Sequence, residues 1–189
     1  MNQQWVEMVV EGLWMAWLLL WLLMAFNNKR SVYRQPPRER LAYVLLTVGA
    51  FMLFHRIPGA HTRFLPGGAW TEIPGVGMVV AGMAFAVWAR VTLGRNWSGI
   101  VTVKENHELV QTGPYALVRH PIYTGILFAM AGTVLAMVPS PLGLAMLGLL
   151  TVAFWFKWRK EERMMTGEFP EAYPAYRRRV RAAVVPWLL

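Results

Sequence analysis

The chain has 189 residues, 56% hydrophobic and only 15% charged, with a mean hydropathy of +0.36. An average soluble domain carries about 25% charged residues, which excludes an ordinary soluble globule and points to a polytopic membrane protein. Nineteen Lys and Arg against ten acids, all Glu, give a net charge of +9, but the basic residues fall in short blocks between apolar runs, the pattern of membrane loops rather than of a nucleic-acid surface, and zero Cys excludes a disulfide scaffold, thiol catalysis and any Cys-ligated metal.

The first uncharged run is Gly12–Asn28, and it extends back to Trp5 if Glu7 and Glu11 sit near an interface. It predicts a helix over about 5–26. A cleaved signal peptide is not expected, because the opening residues lack Lys and Arg and no small-x-small site follows. Trp14, Trp17 and Trp21 share one helical face and read as a packing or lipid-facing stripe. Leu41–Phe54 is 14 residues, short for a span by length alone. Charge parity decides in its favour. Asn27–Arg40, Arg90–His120 and the tail after Phe156 are the basic segments, and cytoplasmic loops are the basic ones, so an even number of spans must separate them. The second helix is therefore predicted at 41–57, with Arg56 snorkelling. Ile73–Ala89 predicts a third at 73–90. Pro121–Phe156 is 36 residues, two spans' worth at roughly 20 each. It is broken at Val138-Pro139-Ser140-Pro141 into helices 121–138 and 141–160.

The expected fold is thus all-α and integral to the membrane, one domain over 1–189. It has five transmembrane helices, the last two a tight hairpin, with the N-terminus outside, a cytoplasmic C-terminal arm, and the cell (inner) membrane as its place. Five spans leave no room for a doubly wound nucleotide domain, and neither GxGxxG nor a P-loop occurs. Any cofactor site must come from 96–123 and 157–186.

Within that loop, Pro121 suits the first position of a helix and disfavours helical backbone at His120. Arg119 and His120 then stand at the cytoplasmic mouth of the fourth helix, where free N–H groups and the dipole favour an anion. A plain basic membrane boundary with interfacial Tyr115 and Tyr123 is the simpler reading of the same residues. Glu161 and Glu162 sit side by side near the end of the last helix. Ordinary surface ion pairing would explain them; a carboxylate held beside an anion site would instead match a zwitterion such as an amino acid. The tail from Phe169 to Arg181 is basic and aromatic, as an arm on anionic lipid head groups would be. The apolar end from Val184 to Leu189 is suited to dock on the bundle. The four His residues have no metal-ligand spacing, so no metal is expected.

Gly113, Tyr115, Arg119-His120-Pro121, Tyr123 and Gly125, followed by Glu161-Glu162, Phe169, Tyr173, Tyr176 and Val180, together resemble the isoprenylcysteine carboxyl methyltransferase family. Its signature is shared with integral-membrane phospholipid N-methyltransferases. The resemblance runs from Asn96 to Pro186, about half the chain. It implies S-adenosylmethionine as cofactor, touched by His107, Leu109, Val110, Tyr115, His120, Pro121, Ile122 and Tyr123 and by Glu161. It implies a substrate-contacting cation at Lys157, where the family has Arg; Lys keeps the charge and loses the bidentate fork. Pro170 replaces a usual Gly, and Pro174 is expected to interrupt the arm between its two tyrosines. The implied reaction is methyl transfer to an amphiphilic, lipid-like or prenylated acceptor, with Arg119 and Glu162 as the expected catalytic residues. A carboxylate acceptor needs no base, whereas a lipid amine must first lose a proton to Glu162 or His120. Phosphatidylethanolamine N-methylation, an NADPH-dependent membrane reductase and a non-enzymatic lipid-binding subunit are the alternatives.

Overall fold

Every regular element is a helix among the residues that the computed structural model describes, which are 3–25, 58–59, 62–94, 97 and 108–185. In chain order these are α1 (Gln3–Ala25), α2 (Ala69–Leu93), a 3-10 turn (Gly113–Ala116), α3 (Pro121–Met137), α4 (Pro141–Glu168) and α5 (Ala172–Arg179). Three of them, α1, α2 and α4, are long and apolar enough to cross a membrane, and α3 is a shorter apolar helix of 17 residues. The expected helix at 41–57 lies outside the described residues.

Two helices outrun their predicted bounds of 73–90 and 141–160. The first of these, α2, starts at Ala69 rather than Ile73 and so takes Glu72 into its first turn, where the dipole favours an acid. Pro74 follows close to the start, where a missing N–H disturbs few helical bonds. The second, α4, runs on because the Lys, Arg, Glu and Met residues of 157–165 are good helix formers despite their charge, and it ends at Glu168 just past Gly167. Its 28 residues reach about 42 Å at 1.5 Å each, longer than a hydrocarbon core of about 30 Å, so its charged end projects beyond the apolar layer.

The core is the α2–α3 interface, and it is made of small residues. Without a hydrophobic drive between helices in lipid, close backbone approach supplies the packing energy. Gly75, Gly82 and Ala86 of α2 meet Gly125, Ala129, Gly132 and Ala136 of α3. A Cβ built on Gly75 would lie 2.7 Å from the Ala136 Cβ, and one on Gly132 would lie 2.6 Å from the Met78 Cβ. Helix α1 lies across this pair, burying Val6, Val10 and Trp17 against Val79, Met83, Ala86, Ala129 and Ala136. Its tryptophan stripe is a packing face: Trp17 stacks on Trp21 at 4.3 Å, and the Trp14 indole donates to Thr133 Oγ1 at 3.0 Å. Buried Arg90 ties α1 to the end of α2, donating to the Met24 carbonyl at 2.7 Å and the Gly94 carbonyl at 2.6 Å. Those are helix-terminal acceptors that would otherwise lack partners. At the other end of α3, Arg63 donates to the Met137 carbonyl at 2.8 Å, and Ser140 caps α4 by accepting from the Gly143 N–H at 3.2 Å.

Gly82→Ala should lower the stability of the detergent-solubilised protein by about 1–3 kcal/mol, the usual cost of overpacking. Its new methyl would meet the Gly125 carbonyl and the Ala129 backbone, neither of which can swing aside. Gly77→Ala, with nothing within 4 Å, should not lower it. Equal thermal melting of the two variants would count against this close α2–α3 contact.

Candidate active site

The loop before α3 is held by the arm after α4. Gly113, at φ +59°, opens the 3-10 turn, and Pro114 sits at its start. Tyr115 is buried in that turn, and its carbonyl accepts the buried Tyr176 hydroxyl at 2.7 Å. Tyr173, Tyr176 and Val180 form a small core with Leu109, Met165 and Phe169 around them. Burial pushes the phenols of Tyr115, Tyr173 and Tyr176 above their ordinary range, which keeps them neutral. Pro174 does not interrupt this arm as its position between the tyrosines suggested. It is the third residue of α5, in the first turn, where no intrahelical N–H is required.

Beyond α5 the chain returns as an extended strap. The Arg119 and His120 N–H groups donate to the Ala182 and Ala183 carbonyls at 3.0 and 2.8 Å, and Thr124 Oγ1 donates to the Val184 carbonyl at 2.5 Å. Val184 is buried, so this part of the apolar end docks on the bundle; residues 186–189 lie outside the described set.

The Arg119 side chain binds three segments together. Its Nε donates to Glu162 Oε1 at 2.7 Å, and its Nη1 donates to the Val180 carbonyl at 2.8 Å and to the Arg181 carbonyl. The two side chains of this ion pair are only 9% and 7% exposed. His120 bridges both acids, with Nε2 at 3.3 Å from Glu162 Oε1 and Nδ1 at 3.6 Å from Glu161 Oε2. Arg177 Nε, half exposed, stands 3.8 Å from Glu162 Oε2.

Glu161 faces elsewhere. Its Oε1 accepts the Tyr123 hydroxyl at 2.6 Å. Lys157, one turn earlier, holds its Nζ 5.3 Å above the Tyr123 ring. That ring stacks on Phe154 at 4.7 Å, while His120 stacks on Trp158 at 6.1 Å. The N-terminus of α3 begins at buried Pro121 with no side-chain cap from His120. Carboxylate, aromatic faces and uncapped N–H groups together suit a ligand carrying both an ammonium and a carboxylate.

The structure therefore brings Arg119, His120, Tyr123, Lys157, Glu161 and Glu162 into one cluster. Leu109 and Tyr115 belong to the arm's docking site, Val110 and Ile122 are half-buried nearby in sequence, and His107 lies outside the described residues. Sequence reasoning missed Phe154, Trp158, Thr124 and Arg177. The first two stand seven and three positions before Glu161, a helical spacing that carried the signal. Nothing in the sequence marked Thr124 or Arg177. On the Glu162 side a cleft of about 650 Å³ opens between α4 and the arm, lined by Trp155, Trp158, Arg159, Arg177, Arg178 and Arg181, with Arg119, Glu162, Pro174 and Ala183 at its walls.

A family model described as the isoprenylcysteine carboxyl methyltransferase (ICMT) family matches residues 75–167. The chain is 33% identical over 166 residues to human protein-S-isoprenylcysteine O-methyltransferase, a match covering 85% of this chain and 57% of the human one. It is 30% identical over 166 residues to a probable protein-S-isoprenylcysteine O-methyltransferase of Oryza sativa subsp. indica, covering 86% of each. A solved structure of the eukaryotic intramembrane Ras methyltransferase ICMT superposes with a TM-score of 0.52 at 22% identity, covering 82% of this chain and 55% of that one. The chain spans about half the length of most of the curated relatives it matches.

Replacing Arg119 by Met should free the strap, because Glu162 and two backbone carbonyls lose their cation in a buried setting. Breaking one side of a buried pair costs about 3–5 kcal/mol. Limited proteolysis should then cut the arm faster than in the parent, with Arg119→Lys between the two. Parent-like resistance in the Met variant would remove the clamp role.

Proposed function

Because this chain belongs to the isoprenylcysteine carboxyl methyltransferase family, we propose that it is an integral-membrane methyltransferase using S-adenosylmethionine to methylate an amphiphilic, lipid-like or prenylated acceptor. The observation that carries this reading is the pairing of Glu161 with the uncapped start of α3 across the aromatic faces of His120 and Tyr123. When bound, S-adenosylmethionine supplies a methyl carbon already activated by its sulfonium. The chain's own contribution is alignment and exclusion of water.

In this reading Glu161 takes the cofactor's ammonium, oriented by the Tyr123 hydroxyl, and the first-turn N–H groups of α3 take its carboxylate. His120, Pro121 and Ile122, at the same mouth of α3, complete the proposed cofactor contacts; Leu109, Val110 and Tyr115 support them through the docked arm, and the family resemblance adds His107. Arg119 serves as a positioning residue, since its guanidinium is engaged by Glu162 and the strap carbonyls. Glu162 is held by the Arg119 guanidinium and lies within 3.3 Å of His120 Nε2, which leaves it poorly placed to collect a proton from an acceptor. A reaction that needs no base, O-methylation of a carboxylate, fits this arrangement best. Lys157 meets the acceptor's anionic end as a point charge. The five-span topology, the closing hairpin of α3 and α4, and a cytoplasmic arm in the cell (inner) membrane belong to the same proposal, supported by the basic bias of residues 27–40, 90–120 and 157–181. The direct test is to incubate the purified protein with methyl-labelled cofactor and a small prenylated-cysteine acceptor. A carboxyl ester would release labelled methanol in alkali, whereas an alkali-stable label or no label would count against O-methylation.

Two variants check the residue roles. Glu161→Gln should weaken S-adenosylhomocysteine binding about tenfold to a hundredfold, the worth of one charged hydrogen bond at about 1.5–3 kcal/mol; unchanged affinity by calorimetry would take Glu161 out of the site. Lys157→Met should cut turnover with the prenylated acceptor while sparing that affinity, and Lys157→Arg should keep much of the activity. Turnover indifferent to both substitutions would leave Lys157 as a membrane-surface anchor only.

A further inference from the structure

The cleft on the Glu162 side shares Arg119, Trp158 and Glu162 with the cluster described above, but its lining includes neither Glu161, His120 and Tyr123 nor Lys157. Its chemistry is lopsided. Arg119, Arg159, Arg177, Arg178 and Arg181 line it, against Glu162 as the one carboxylate on its walls among the described residues. That carboxylate is already met by Arg119 at 2.7 Å and by His120 at 3.3 Å. Arg159 lies over the Trp155 ring at 5.7 Å, and Trp158 closes the inner wall.

The cleft also has a defined depth. Val152, Trp155 and Phe156, on the turn of α4 just before the cleft, are 51%, 44% and 51% exposed. They form an apolar surface that ends where the charged run from Lys157 begins. Arg159 stands four residues past Trp155, about 6 Å further along the helix axis. Tryptophan marks the membrane–water interface, so the arginines are at head-group level with lipid-facing surface directly beneath them. A soluble anion would use the arginines and leave that surface idle; an anionic lipid uses both.

We propose that this cleft is a specific site for an anionic phospholipid, with the phosphodiester held between Arg159 of α4 and Arg178 and Arg181 of the arm, and the acyl chains running down over Trp155 and Phe156. Arg forks match phosphate oxygens in bidentate fashion. The bound lipid joins the end of α4 to the arm, the two segments that Arg119 and Glu162 join from inside. The site is distinct from the acceptor site at Lys157 and stands whether or not the methyltransferase reading holds.

The test is calorimetric titration of delipidated, detergent-purified protein with short-chain phosphatidylglycerol, short-chain phosphatidylcholine and inorganic phosphate, with helical circular dichroism and its thermal melting as a separate check that each sample is folded. Phosphatidylglycerol should bind saturably and weaken as salt is raised; phosphatidylcholine should not saturate, and inorganic phosphate should bind more weakly than the anionic lipid. Arg159→Gln combined with Arg178→Gln should weaken phosphatidylglycerol binding about thirtyfold, at about 1 kcal/mol per basic residue. Should the double variant fold poorly, Arg178→Gln alone, on the exposed face of α5, should still weaken it several-fold. Equal binding of the two lipids, or parent-like affinity in the folded variants, overturns the proposal. Inorganic phosphate matching phosphatidylglycerol overturns it too, by assigning the cleft to a soluble anion.

Discussion

The buried contact between Arg119 and Glu162 is the constraint on which the loop before α3, the charged end of α4 and the arm depend. Two charges taken from water cost several kcal/mol each, and their mutual attraction recovers this only when the geometry is good and the remaining hydrogen-bonding capacity is filled. Here it is filled by chain from a third segment: the Val180 and Arg181 carbonyls complete the guanidinium, and the adjacent Arg119 and His120 N–H groups bind the next two carbonyls of the same strap. The strap therefore completes the pair. Loop, helix end and arm stabilise one another through these shared bonds.

That coupling explains why two neighbouring carboxylates behave differently. Successive residues on a helix point about 100° apart, so Glu162 turns towards Arg119 and the arm while Glu161 turns towards Tyr123 and Lys157. His120 stands between them and touches both. One acid is spent on structure and the other is left beside an uncapped helix start, with aromatic rings around it. The division of labour comes from helix geometry, since the side chains are chemically identical.

The close α2–α3 packing sets the frame in which this happens. Glycines at Gly75, Gly82, Gly125 and Gly132 bring the two backbones together, and α3 then presents His120 and Tyr123 at a fixed height beside the charged end of α4. Helix α4 meets α3 at its capped start, where Gly143 packs on Val134, and again where Phe154 and Glu161 meet Tyr123. On its other face α4 exposes Leu144, Val152, Trp155 and Phe156, a surface suited to lipid. Rigidity at α2–α3 and an open flank on α4 are what a site that meets a membrane-borne ligand requires.

Much of this was legible in the sequence because it depends on local rules. Apolar run length marked α1, α3 and the membrane-crossing part of α4, and the prolines at Pro121, Pro139 and Pro141 fixed the ends of α3 and the start of α4 through their missing N–H groups. Spacing placed Lys157 and Glu161 on one helical face, and the Arg-His-Pro-x-Tyr and Glu-Glu motifs named most of the clustered residues. Ending a helix where charge begins cut α2 and α4 short, since Glu72 and Lys157–Glu168 are compatible with helix and only disfavour lipid. What the tertiary structure alone decided was partnership. No spacing rule pairs Arg119 with Glu162, 43 positions away, or turns the arm so that its carbonyls meet Arg119 and its arginines face Trp155. Those outcomes depend on how separate segments share hydrogen bonds and burial, and such long-range choices leave no periodicity in the chain.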